Sequence, residues 1–153
     1  MLDKTRQTLK VDITTGDYVT PKEIAYSFSL MFEDREISIL AYNLETVLAE
    51  KFETIITRST ATTRMRDFYD IYILTTTQVF SPEVFKDALK KTMEKRGTAA
   101  QMLDCKNTME AIASSPIMKD LWERYQKKFT YAADLPWEVV VSTLEKLSYH
   151  AMA

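Results

Sequence analysis

Leu9, Val11 and Ile13 alternate with Lys10, Asp12 and Thr14, and a period of two sends neighbouring side chains to opposite faces of a strand. This predicts a first β-strand with Asp12 on its polar face. Ile24, Tyr26, Phe28, Leu30 and Phe32 then alternate with mostly small residues, EDR turns the chain, and EISILAY alternates again. That pattern predicts a β-hairpin. From Asn43 onward apolar residues recur every three or four positions, the period of helices. The first two predicted helices cover about 43–57 and 63–76. A third lies in SPEVFKDALKKTMEKRG, with Ser81 as cap, Pro82 in the first turn and Gly97 as stop. Three more fall at about 99–113, 117–129 and 136–150, with Pro116 and Pro136 marking two of the starts.

The expected class is α+β: about three strands within the first 42 residues, then about six helices. Residues 1–153 are expected to form a single domain, a β portion over 1–42 and a helical portion over 43–153, with no repeat or linker. Three strands at the start of the chain read as the remnant of a larger sheet. An open edge and a bare apolar face invite pairing, so the N-terminal strands are expected to self-associate or to bind a partner.

Composition narrows the chemistry. The 46% hydrophobic and 27% charged content suits one globular domain, and the net charge of −2 restricts any RNA contact to a local patch. Cys105 is the one cysteine and His150 the one histidine, leaving neither an internal disulfide nor a zinc cluster. With glycine only at 16 and 97, phosphate loops that need several glycines are excluded. No run approaches the roughly 18 apolar residues of a membrane span, so a cytoplasmic protein is expected.

The stretch LETVLAEKFETIITR contains an anomaly. At about 100° per residue Leu44, Val47, Leu48, Phe52, Ile55 and Ile56 share one side, with Thr46, Glu50, Glu53 and Thr57 opposite. Lys51 falls within the apolar side, and Arg58 follows two turns later on nearly the same line. A lysine at the margin of such a stripe often buries its stem and snorkels its amine; an ammonium at an apolar wall is also a site for nucleotide phosphates. Glu45 reads as a first-turn carboxylate favoured by the helix dipole. On the second helix Arg66, Asp67 and Asp70 share a face, readable as a solvated Arg66–Asp70 pair, although Ile73 and Leu74 extend the same stripe and suggest partial cover. Asp12 by itself is an ordinary strand carboxylate. Together these residues are parts for holding a metal and a triphosphate.

In order and spacing, KVDITTGD, AYNLETVLAEKFETIITR and TRMRDFYDIYIL resemble the later motifs of the AbiEii/AbiGii nucleotidyltransferase toxin family, the toxin half of type IV toxin–antitoxin systems. The likeness covers roughly residues 8–97; beyond it the helices are generic. It implies a polymerase β-like nucleotidyltransferase fold, Mg²⁺-dependent transfer of a nucleotide from an NTP to an RNA acceptor such as tRNA, and a cognate antitoxin. By the same resemblance Asp12 is a metal-binding carboxylate, Lys51 neutralises the triphosphate with Arg58 and Arg66 beside it, and Asp67 and Asp70 complete the catalytic set. The family also opens with a Gly-Ser or Gly-Gly stretch, an arginine and an Asp-x-Asp pair. Only eleven residues precede Asp12 here, without that motif, which implies a truncated, catalytically impaired form. The alternative is a non-catalytic helical module that binds an antitoxin or RNA.

Overall fold

A computed structural model describes residues 8–11, 13, 15–16 and 18–152. Its elements are strands β1 (Ile24–Ser29) and β2 (Glu36–Ala41), then seven helices: α1 (Leu44–Arg58), α2 (Met65–Thr77), α3 (Pro82–Arg96), α4 (Ala99–Leu103), α5 (Cys105–Ser114), α6 (Pro116–Lys128) and α7 (Trp137–Met152). Single 3-10 turns at Ser59–Ala61 and Thr130–Ala132 join α1 to α2 and α6 to α7. The class is α+β, mostly helical.

β1 and β2 form a two-stranded antiparallel sheet in which Ile24 faces Ala41, Tyr26 faces Ile39 and Phe28 faces Ile37. The expected first strand is a correction. The described residues between 8 and 16 lie in no strand, and Leu9, Val11 and Ile13 are 83%, 68% and 83% exposed. Alternation supplies two faces, but a strand also needs a backbone partner, and neither edge of the hairpin pairs with these residues. The hairpin keeps an open apolar face, with Ile24, Tyr26, Phe28, Ile37 and Ile39 all exposed.

The core belongs to the helices. Leu48, Ala49, Phe52 and Ile55 of α1 have no solvent exposure, and no residue from 44 to 56 is classed as exposed. α1 packs on both α2 and α3, while α7 closes the other side against α2, α3 and α5. Aromatic rings join these layers: Phe52 meets Phe85 edge-on at 6.0 Å between centroids, and Trp137 lies 5.5 Å from Phe68 and 6.0 Å from Trp122. The Trp122 indole donates to the Leu135 carbonyl at 2.9 Å.

The caps are those the sequence supplies. Asn43 accepts from the Thr46 amide at 3.0 Å to start α1, and Ser81 accepts from the Val84 amide at 3.3 Å to start α3. Gly97 ends α3 at φ 67°, where a side chain would be strained. The predicted helix over 99–113 is two helices, because Asp104 leaves helical geometry at ψ 15° and begins α5. Its carboxylate accepts from the Asn107 side chain rather than from a backbone amide. Cys105 sits just inside α5, and burial pushes its thiol up to about 11, so it is an inert core group. Among the described residues no helix is long and apolar enough to cross a membrane.

Because the helices rather than the hairpin hold the core, Phe52→Ala should lower unfolding stability by about 4 kcal/mol. Leu40→Ser, at a position 73% exposed on β2, should change it by less than about 0.5 kcal/mol. Urea unfolding of the two variants checks this, and comparable losses would place the hairpin inside the cooperative core.

Candidate active site

Asp67 and Asp70 stand three residues apart in the first two turns of α2, a spacing that puts both on one helical face. That face meets α1 at Lys51. The Lys51 ammonium donates to Asp67 Oδ1 at 2.9 Å and to Asp70 Oδ2 at 2.7 Å. The three side chains are 22%, 14% and 23% exposed, half-covered and too wet for the full penalty of a buried ion pair. Arg64 and Arg66 stand back at 3.9 Å from Asp67 and Asp70 respectively, outside hydrogen-bond reach. Burial works to lower the Lys51 pKa, but the hydrogen bonds and charges of Asp70 and Asp67 outweigh it, so the ammonium is held above its ordinary value. Lys51 is a fixed cation, not a base.

Two adjoining pockets open beside this cluster. One of about 200 Å³ is lined by Val47, Glu50, Lys51, Thr54, Arg64, Asp67 and Arg96. The other, of about 370 Å³, is lined by Glu53, Thr54, Thr57, Arg58, Arg64, Arg96 and Thr98. They share Thr54, Arg64 and Arg96, forming a polar trough along α1 toward the end of α3. Its floor is Glu53, only 4% exposed. The Glu53 carboxylate accepts from Arg96, from Thr57 at 3.0 Å and from Thr98 at 2.8 Å, so a buried charge is both paired and hydrogen-bonded.

On the far side of α2 lies an aromatic wall. Tyr69 and Tyr131 are 4.7 Å apart at their centroids, and the Tyr125 and Tyr131 hydroxyls share a hydrogen bond of 2.8 Å. Burial, the Tyr131 contact and the Asp70 charge all push the Tyr125 phenol upward, so it stays protonated beside the aspartate.

Of the sequence-predicted site residues, Lys51, Asp67 and Asp70 are brought together. Arg58 is not in the same pocket as Lys51 but lines the adjoining one, and Arg66 is 78% exposed at the outer margin of Asp70. The solvated Arg66–Asp70 pair is therefore secondary to Lys51. Asp12 lies outside the described residues. Glu45 does more than face a helix dipole: its Oε1 accepts from the Ser81 amide at 2.8 Å and ties α1 to the start of α3. Glu53 and Thr46, placed by periodicity on a polar side, are both buried, because α3 and the Thr20 segment cover that side. The sequence places Arg64 or Arg66 near Asp67 or Asp70, and both stand at 3.9 Å; Arg96 is the residue that sequence reasoning missed. No local pattern signals it, because its partner Glu53 lies 43 positions away.

Among the described residues no group of three His, Cys, Asp or Glu side chains could hold a metal ion, and Asp67 and Asp70 already accept from an ammonium. Those residues do not fit a Mg²⁺ ion by themselves.

Lys51→Met should cost about 2 kcal/mol, since it leaves two half-buried carboxylates facing each other without a donor. Adding Asp67→Asn and Asp70→Asn should recover most of that loss. The pH dependence has a definite sign. A pKa raised in the folded state contributes stability that is complete below the unfolded value, 10.5 for lysine, and is lost as pH rises through the folded value. The stability gap between wild type and Lys51→Met, read by thermal unfolding, should thus stay constant near neutral pH and shrink only above 10.5. A gap that closes near neutrality contradicts the assignment.

A family model for the nucleotidyl transferase AbiEii toxin of type IV toxin–antitoxin systems matches residues 1–143. No curated protein and no solved structure matches the chain. The match runs well past residue 97 and takes in α4 to α6 with the first part of α7. A lysine clasped by the two aspartates of RDFYD, within a match spanning 143 of 153 residues, places this chain in the AbiEii nucleotidyltransferase toxin family.

Proposed function

We propose that this chain acts in nucleotidyl transfer, moving a nucleotide from an NTP to an RNA acceptor such as tRNA with release of pyrophosphate, as the toxin partner of a cognate antitoxin in the cytoplasm. The observation that carries the reading is the Lys51 clasp at the mouth of a polar trough that leads to three arginines. An ammonium has three donors. Two are taken by Asp67 and Asp70, which aim the third and keep the charge in place before substrate arrives. A preset donor of this kind meets a phosphate oxygen without a reorganisation cost at the moment of binding, while the net attraction for a triphosphate has to come from Arg58, Arg64 and Arg96, because Lys51 with its two aspartates sums to a negative charge. In this reading Lys51 contacts the triphosphate, Asp67 and Asp70 position Lys51, and Arg58 and Arg66 add positive charge around it.

The transfer chemistry of the family draws on Mg²⁺. The sequence contains no Asp-x-Asp pair, and the described carboxylates do not supply a metal cluster. We therefore assign the chain binding and positioning of the nucleotide, with transfer impaired unless further carboxylates are provided. The test is to incubate the purified chain with labelled NTP, Mg²⁺ and total tRNA, and to measure NTP affinity in parallel. The expected result is measurable NTP binding that falls by about tenfold in Lys51→Met, with little label on RNA. Strong RNA labelling by the chain alone contradicts the impairment; NTP affinity indifferent to Lys51 contradicts the site.

A second reading, self-association through the N-terminal strands, is favoured by one observation, the apolar face of the hairpin. Tyr26 and Phe28 of β1 and Ile39 of β2 lie on it at 51%, 54% and 48% exposure, adjacent apolar side chains of the kind that mark an interaction surface. On this reading two copies associate through the N-terminal strands. Sedimentation velocity should give a concentration-dependent dimer that Phe28→Glu abolishes. A wild-type chain that stays monomeric at high concentration removes the reading.

A further inference from the structure

The larger of the two adjoining pockets carries chemistry that the Lys51 cluster does not use. It is bounded by the last turn of α1, the chain entering α2 and the α3–α4 junction, and three arginines line it: Arg58, Arg64 and Arg96. Glu53 is its one carboxylate, and it is buried and engaged by Arg96. The threonine hydroxyls are also engaged: Thr57 and Thr98 donate to Glu53, and Thr54 donates to the Glu50 carbonyl at 2.8 Å. What remains is positive. Arg64 reaches Asp67 only at 3.9 Å, and Arg58 takes part in no ion pair among the described residues. Guanidinium groups from separate elements, set over a neutralised floor, suit the tetrahedral oxygens of a phosphate ester, which they bind in a bidentate fashion. The volume of about 370 Å³ admits more than one phosphate group.

We propose that the Arg58–Arg64–Arg96 pocket is a phosphate-ester site distinct from Lys51. It receives either the distal phosphates of the nucleotide or the backbone phosphates of the RNA acceptor. Its shared wall with the Lys51 pocket, through Thr54, Arg64 and Arg96, makes it the continuation of one substrate track. The substrate assignment rests on the nucleotidyl-transfer reading, whereas the oxyanion chemistry of the pocket stands apart from it. Arg96 has a second task as the partner of Glu53, so its loss strands a buried carboxylate; Arg58 and Arg64 are exposed and can be changed without touching the core.

The experiment titrates the full chain with inorganic tripolyphosphate in one arm and, in the other, with an oligoribonucleotide that has hydroxyls at both ends and only internal phosphodiesters. Variants are Arg58→Ala, Arg64→Ala, Lys51→Met and, outside the pocket, Arg124→Ala; thermal unfolding of each confirms the fold. The expected result is that Arg58→Ala and Arg64→Ala each weaken at least one probe by about tenfold, while Arg124→Ala leaves both unchanged. A loss confined to tripolyphosphate assigns the pocket to the nucleotide, and a loss confined to the oligoribonucleotide assigns it to the acceptor backbone. The proposal is overturned if wild type binds neither probe, if Arg58→Ala and Arg64→Ala bind both as wild type does, or if Arg124→Ala loses as much as they do. Failure of the nucleotidyl-transfer reading is separable: NTP affinity is then indifferent to Lys51→Met, while tripolyphosphate binding still depends on the arginines. Conversely, binding that depends on Lys51 alone keeps that reading and removes this pocket.

Discussion

The Lys51 ammonium between Asp67 and Asp70 sets the relation of α1 to α2, and with it everything that the trough can hold. Hydrophobic burial draws the two helices together, but it is non-directional and tolerates small slides and rotations of one helix on another. A cation that must reach two carboxylates one turn apart, at 2.9 and 2.7 Å, does not. Removing either side leaves a half-buried charge without its partner, the more expensive of the two ways to be wrong.

The same device recurs along α1. Glu45 reaches forward to the Ser81 amide at the start of α3, Lys51 reaches across to α2, and Glu53 reaches Arg96 and Thr98 at the end of α3. Three polar side chains on a helix with little exposed surface each find a partner on a different neighbouring segment. Near the N-terminus of α1, Thr46 accepts from the Thr20 amide at 3.1 Å and so fastens the segment that leads into the hairpin. The apolar residues of α1 supply the bulk of the stabilisation, and the polar ones specify which face meets which neighbour. The trough then follows as a consequence: the elements are held apart where charged side chains need water, with mixed charge around Lys51 and arginines dominating toward the end of α3.

The helical part of the fold was legible in the sequence wherever an end signal and a period agreed, as with Ser81, Pro82 and Gly97 bounding α3. It was less legible where the period was right but a single residue decided, as Asp104 does in dividing α4 from α5. The alternation at Leu9, Val11 and Ile13 was real, but pairing is not local information and no partner strand joins those residues. Within the site, Lys51 was legible because it broke the stripe, and Asp67 and Asp70 because they shared a face. Glu53 was not: a helical wheel reports which residues lie opposite the apolar face, not whether a second element covers them. Arg96 joins Glu53 across 43 positions, a separation at which no local pattern carries a signal.

Whether Lys51 contacts nucleotide is read most directly from the NMR signal of its own ammonium. Bound to two carboxylates, that group is expected to exchange slowly with water near neutral pH, and its Nζ resonance is then followed through a titration with an NTP. The resonance should move saturably, in step with binding measured by calorimetry, and the protected signal should be lost when Asp67→Asn and Asp70→Asn are combined. A Lys51 signal unchanged while the chain saturates with nucleotide would mean that the clasp joins two helices and does nothing else.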